Sequence, residues 1–306
     1  MLWQTQLYQK KRGCHCFLFK KLETLDKWHV SKYKGCNLVY TTHVTGGCKY
    51  MSRLQQVFAK GKAFIPFITA GDPSLEITEQ LVIKMAEAGA DLIELGIPFS
   101  DPVAEGPVIQ EADYRALSNG VTTDKIFDMI ARIRKSCNVP IAFMTYANPV
   151  FTYGKDKFMK NCKDVEVDAI IVPDIPYEER NELMPYCDKY GIEFISMIAP
   201  TSRERIQMIA AESQGFIYCV SSLGVTGVRR EFSSNIEDMI KHVKQIKNIP
   251  CAIGFGISTP EQAAKMSAIA DGIIVGSAIV DIIAKYGEEC IPHVIEYVCE
   301  MRKAIK

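Results

Sequence analysis

From residue 63 onward, short apolar runs alternate with longer stretches in which apolar positions recur every three or four residues. The short runs lie at 63–69, 92–95, 141–145, 169–172, 193–198, 216–220, 251–254 and 272–275. Strands covered on both faces read as near-continuous apolar segments, and such strands belong to parallel sheets. The longer stretches predict amphipathic helices at 75–88, 123–136, 177–190, 203–211, 236–246 and 260–266, several opened by Ser, Thr or Pro. Eight strand-helix units in ~250 residues predict an α/β fold, a single-domain (β/α)8 TIM barrel, whereas an open doubly wound sheet more often stops at five or six strands. Just ahead of the first strand, 52–58 predicts a short amphipathic helix leading to Gly61.

Composition changes this picture at one end only. With 306 residues, 48% of them hydrophobic and 24% charged, the chain can bury a sizeable core. Thirty-six basic residues balance thirty-six acidic ones, which argues against nucleic-acid binding through phosphate neutralisation. No run of apolar residues reaches the length of a membrane span, so no membrane partner is expected. The balance is uneven, however: the first fifty residues carry a net +7 and the rest −7. Trp3, Trp28, His15, His29, His43 and four of the eleven cysteines also fall in that first segment.

Its longest apolar run, Cys16-Phe17-Leu18-Phe19, is too short for a secretory signal, and the segment has one Ser and one Arg where a transit peptide is rich in both. Cys14, Cys16, His29 and Cys36 match no common zinc spacing. Residues 1–50 are therefore expected to be an extension outside the barrel, translated from a misplaced start, with the catalytic domain at 51–306. The other seven cysteines, an odd number without C-x-x-C pairing, read as reduced core thiols of a cytoplasmic protein.

In a barrel of this kind, reactive groups sit at the carboxyl ends of the strands. Glu94 lies in Leu92-Ile93-Glu94-Leu95, a charge inside an apolar strand. Burial would raise its pKa toward neutrality, as a general acid/base requires; otherwise Glu94 is a strand-end acid that reaches water. The connection that follows, 98–107, holds Asp101 and Glu105 and is stiffened by three prolines. These acids are aimed into the site, or they are turn and helix-start residues. Gly224-Val225-Thr226-Gly227, Gly254-Phe255-Gly256 and Gly276-Ser277 follow strands six, seven and eight. Glycine lets backbone N–H groups approach an oxyanion, and a helix starting at Gly276-Ser277 adds its positive end, so these neighbouring loops suit a phosphate.

Five segments in order resemble the tryptophan synthase α subunit family: Phe64-Ile65-Pro66-Phe67-Ile68-Thr69-Ala70-Gly71-Asp72-Pro73, Ile93-Glu94-Leu95-Gly96-Ile97-Pro98-Phe99-Ser100-Asp101-Pro102, Tyr146-Ala147-Asn148-Pro149, Gly224-Val225-Thr226-Gly227 and Gly254-Phe255-Gly256. The resemblance runs from Met51 to the carboxyl terminus. It implies a lyase that cleaves indole-3-glycerol phosphate to indole and glyceraldehyde 3-phosphate by a retro-aldol step, with no metal and no organic cofactor. By the same resemblance Glu94 moves the protons and Glu105 contacts the indole N–H, although the family pattern has aspartate at that position. Substrate contacts are implied at Phe67, Tyr146, Tyr218, Thr226 and Phe255, and phosphate contacts at Gly227, Gly256, Gly276 and Ser277. Asp174 is implied to help position this machinery, and 221–234 to close over substrate.

The implied partner is a pyridoxal-phosphate-dependent β subunit, in an α2β2 assembly, reached through Phe99-Ser100-Asp101-Pro102. Three other readings stay open at this point. They are a sugar-phosphate isomerase or epimerase sharing the glycine loops, a catalytically weak barrel that activates the β subunit, and a free-standing lyase that releases indole.

Overall fold

The computed structural model describes residues 4–7, 17–20, 40–41, 49–220, 231–254 and 256–305. The chain divides into two compact units, Met1–Tyr50 and Met51–Lys306. In the first, Gln4–Leu7 pairs antiparallel with Phe17–Lys20, and Tyr40–Thr41 with Lys49–Tyr50. Cys14, Cys16, His29 and Cys36 lie outside the described residues.

The second unit is a (β/α)8 TIM barrel. Its strands are β1 (Ala63–Thr69), β2 (Ile93–Gly96), β3 (Ile141–Met144), β4 (Ala169–Ile171), β5 in two pieces (Glu193–Phe194 and Ser196–Ile198), β6 (Ile217–Val220), β7 (Cys251–Gly254) and β8 (Gly272–Val275). Every pairing is parallel, and β8 returns to β1 with Gly272 opposite Ala63. The ring closes at β5, whose first piece pairs with β4 and whose second pairs with β6.

The two-residue period of the strands sorts their side chains into two cores. Phe64, Ile68, Leu95 and Phe143 pack outward with the helices. Ile65, Phe67, Ala142, Ala169, Tyr218 and Ala252 share the barrel interior. Leu54 and Val57 of the helix Arg53–Ala59 join that interior, and Phe58 packs on Phe216 with ring centroids 5.3 Å apart. This helix begins with a capping box between Ser52 and Gln55, and it plugs the amino end of the barrel.

That end is also pinned by a repeated device. Asp91, Asp168 and Asp271, just ahead of β2, β4 and β8, accept backbone N–H groups from Phe64 at 2.9 Å, Ile141 at 2.9 Å and Cys251 at 2.8 Å. Each also meets a cation: Arg302 at 3.6 Å, Arg53 at 3.3 Å and Lys244 at 2.6 Å. Stability devices thus gather at the amino end of the strands, which leaves the carboxyl end free for chemistry.

The helices depart from expectation in places. The expected helix at 177–190 is a 3-10 turn, Tyr177–Glu182, followed by a separate helix, Met184–Tyr190, because Pro185 suits only a first helical turn. The helix expected at 236–246 starts earlier, as Glu231–Ile246. Pro107–Ser118, between β2 and β3, was not among the expected helices and bears on the site. Among the described residues no helix is long and apolar enough to cross a membrane.

Candidate active site

At the carboxyl end of the strands, the interior lining is unusually small beside one acid. Glu94 on β2 stands opposite Phe67 of β1 and Ala142 of β3, and Ala142 in turn stands opposite Ala169 of β4. Ala142 and Ala169 thus put methyl groups where a barrel usually carries branched side chains. Glu94 is only 1% exposed, and among the described residues nothing hydrogen-bonds its Oε2 atom. Burial, and secondarily the charge of Glu105, push its pKa up to about 8. The strand-end alternative, an acid that reaches water, is therefore not what the fold builds.

Aromatic rings form the walls. Phe67 and Tyr218 are both almost fully buried, and glycines make room for them. A β-carbon at Gly96 would stand 2.8 Å from the Phe67 ring, and one at Gly254 would stand 2.6 Å from Cζ of Tyr218. Gly276 faces Phe67 from the other side, where an added β-carbon would lie 3.3 Å from the ring. Gly254 and Gly276 thus clear space for side chains as well as for backbone approach. Gly256 differs from both: it has φ +74° and open space beside it, a conformation that glycine adopts without strain. Burial, then the charges of Glu94 and Glu105, hold the Tyr218 phenol far above its ordinary pKa, so it is a neutral hydroxyl at any working pH.

The connection after β2 lies over this pocket and is tied to β3 through Tyr146. The Tyr146 hydroxyl accepts the Ala104 N–H at 3.1 Å, and its ring lies 5.4 Å from that of Phe99. Glu105 is half-buried, and its Oε2 atom has no hydrogen-bond partner among the described residues. Burial raises its pKa, the neighbouring Tyr146 phenol lowers it, and the charge of Asp174 raises it. Glu105 does not cap the following helix, whose cap is Gly106 with no side-chain bond. Asp101 is exposed and accepts a 2.5 Å bond from its neighbour Ser100, which is turn behaviour. Asp174, after β4, accepts the Ala147 N–H with both oxygens, at 3.0 and 3.2 Å, and so secures the start of the helix Ala147–Tyr153 directly behind Tyr146.

Across the mouth, Ser277 opens the helix Ser277–Tyr286, with Gly276 as its cap. Ser277 is exposed, and the first N–H groups of this helix lie at the carboxyl end of β8. Thr226, Gly227 and Phe255, together with Gly224, Val225 and the 221–230 part of the expected closing segment, lie outside the described residues. The structure thus brings Glu94, Glu105, Phe67, Tyr146 and Tyr218 together, with Asp174 behind them and Gly256, Gly276 and Ser277 at the opposite loops.

One residue of this neighbourhood escaped sequence reasoning. Asp113 is only 5% exposed, on the helix Pro107–Ser118, and accepts the Thr69 hydroxyl at 3.5 Å. Its signal was present as the one acid in the buried stripe Ile109, Ala112, Asp113, Ala116, which has helical spacing. Among the described residues no group of three or more His, Cys, Asp or Glu is arranged to hold a metal ion.

Comparison with known proteins points to one family. The family model described as tryptophan synthase alpha chain matches residues 54–306. The tryptophan synthase alpha chain of Lacticaseibacillus casei is 51% identical over 255 residues, covering 83% of this chain and 96% of that one. The crystal structure of a tryptophan synthase alpha chain from Legionella pneumophila superposes with TM-score 0.75 at 35% identity, over 83% of this chain and 97% of that one. A tryptophan synthase complex from Pyrococcus furiosus contains a chain that superposes with TM-score 0.71 at 34% identity, over 79% of this chain and 98% of that one. The chain belongs to the tryptophan synthase alpha chain family, lyases that act on indole-3-glycerol phosphate in tryptophan biosynthesis.

Proposed function

We propose that the chain cleaves indole-3-glycerol phosphate to indole and glyceraldehyde 3-phosphate with Glu94 as the proton-transfer group and Glu105 as the acceptor of the indole N–H. The observation that carries this reading is Glu94: a buried carboxyl with a free oxygen and a pKa of about 8, on a strand whose neighbours place Phe67 and Ala142 beside it. At neutral pH such a group is mostly protonated and can give its proton to indole C3. The ring nitrogen then carries developing positive charge, which the Glu105 carboxylate stabilises through the N–H. The C–C bond breaks with its electron pair returning to the ring, and the Glu94 carboxylate takes the proton of the adjacent hydroxyl as the aldehyde forms. Glu94 ends as it began, so one residue serves as acid and then as base.

Phe67, Tyr146 and Tyr218 provide flat apolar surface for the indole ring, which favours this substrate over a sugar phosphate. The backbone of Gly256 and Gly276 and the helix start at Ser277 supply N–H donors for the phosphate, with Thr226, Gly227 and Phe255 completing the pocket by resemblance. Asp174 positions Tyr146 by holding the start of its helix. A β subunit in an α2β2 assembly receives the indole, a reading supported by the Pyrococcus furiosus complex. The seven free thiols of residues 51–306, five of them buried, support a cytoplasmic setting, and residues 1–50 are read as an extension that the catalytic domain does not need.

The test is Glu94→Gln, which keeps the shape and removes proton exchange. Turnover should fall by ~10² or more while a substrate analogue still binds. Near-parental turnover would reject Glu94 as the proton-transfer group.

A further inference from the structure

Asp113 has the burial of a core residue and the chemistry of a site residue. It faces inward from the helix Pro107–Ser118 among Ile109, Ala112 and Ala116. The Thr69 hydroxyl, at the end of β1, donates to it at 3.5 Å, and the Phe99 N–H, at the start of the connection that carries Glu105, lies against it. Asp113 therefore touches both ends of the problem: the strand beside Glu94, and the loop that must present Glu105.

Its charge is not neutralised. Arg115, two positions further on, points elsewhere and is spent on Asp72, with Nε and Nη2 each 2.8 Å from a carboxylate oxygen. The groups that face Asp113 from neighbouring elements are Glu105, Asp72 and Tyr146, and each is acidic or neutral. Around Glu105 stand Glu94, Asp174, Tyr146 and Tyr218. Burial first, and the charge of Glu105 second, hold the Asp113 pKa up to about 7. Asp113 therefore gives up its proton against the charge of Glu105.

We infer that Asp113 is a positioning residue for the lyase reaction: accepting the Thr69 hydroxyl at the end of β1 and set against the Phe99 N–H, it seats the 97–106 connection that presents Glu105. This rests on the reading of Glu105 as the indole N–H acceptor. The seat needs an acceptor oxygen at Asp113 and not its charge, so an asparagine oxygen should serve and a methyl group should not.

The experiment compares Asp113→Asn and Asp113→Ala in the full chain, with kcat and KM for indole-3-glycerol phosphate measured from pH 5 to 9. Asp113→Ala loses the seat for Phe99, so kcat should fall about tenfold with KM little changed. Asp113→Asn keeps an oxygen there and should recover most of that loss. A loss in Asp113→Asn equal to that of alanine, or parental kcat in Asp113→Ala, overturns the inference. Should Asp113→Asn not fold, Thr69→Val decides, because it removes the hydroxyl that Asp113 accepts. A fall in kcat at unchanged KM supports the inference, and parental kcat overturns it. Glu105→Ala separates the two claims: full activity there overturns the reading of Glu105 itself, whereas an inactive Glu105→Ala with a fully active Asp113→Ala overturns only the role of Asp113.

Discussion

Replacing Glu94 by glutamine should make the barrel more stable, and increasingly so as the pH rises. In the unfolded chain this carboxyl titrates at its ordinary 4.5, and in the fold it titrates at about 8. A raised carboxyl pKa means that the folded state binds the proton more tightly than the unfolded state. Its contribution is therefore intact below pH 4.5 and is lost as the pH climbs toward 8. Each unit in that window costs about 1.4 kcal/mol. The loss is below about 1 kcal/mol at pH 5, about 3 kcal/mol at pH 7 and near 5 kcal/mol at pH 9. Full burial of Glu94 means that solvent screening does not discount this.

Glutamine cannot ionise, so the variant escapes the whole pH-dependent part. It keeps a similar buried polar group with an unpartnered atom, so the offset between the two proteins at pH 5 should be small. The assay is urea denaturation of both proteins at pH 5, 6, 7 and 8, followed by far-UV circular dichroism. The gap in unfolding free energy should open by about 1.4 kcal/mol per unit over most of that range. Stability curves that run parallel with pH would show that Glu94 titrates normally, and the account of it as a proton donor at neutral pH would fall with that result.

Glu105→Asp should stay active, because a small shift of the 97–106 connection restores the contact, while Glu105→Ala should lose about 10²–10³ in turnover; alanine tolerated as well as aspartate would remove Glu105 from the mechanism. Deleting residues 1–50 should leave folding and lyase activity unchanged, since the family match begins at residue 54, and loss of folded protein on truncation would count against it. Adding a pyridoxal-phosphate-dependent β subunit should accelerate indole-3-glycerol phosphate turnover by completing the site through 99–102, and no acceleration at saturating partner would reject that coupling.

Strands were the most legible part of this chain because burial on both faces leaves an unbroken apolar run. Ala63–Thr69, Cys251–Gly254 and Gly272–Val275 lie at the expected limits for that reason. Helices were legible where a cap and a clear stripe coincide, as at Leu75–Glu87 behind Ser74. Pro107–Ser118 has neither: its cap is a glycine without a side-chain bond, and its buried stripe contains Asp113. The feature that hid the helix is the feature that matters to the site. Glu94 was legible by the opposite route, as a lone charge in an apolar strand. Asp174 was implied by resemblance alone, and its bond to Ala147 was not legible, because Ala147 lies 27 positions earlier and meets it only when β3 and β4 pair.

The mouth of the barrel gathers three carboxyls, Glu94, Glu105 and Asp113, and among the described residues no lysine or arginine is among the charges that shift them. A cation would relieve their repulsion and stabilise the fold. Arg115, on the same helix as Asp113, is instead held on Asp72 by two charge-assisted bonds. The proposed reaction accounts for this. A cation beside Glu94 would draw its pKa back toward the ordinary carboxylate range, and at neutral pH there would be no proton to give to indole C3. A cation beside Glu105 would compete for the carboxylate that the proposed indole N–H contact uses. The site therefore keeps its acids unpaired and accepts their mutual repulsion, which leaves proton affinity as the property that burial can tune separately for each of the three.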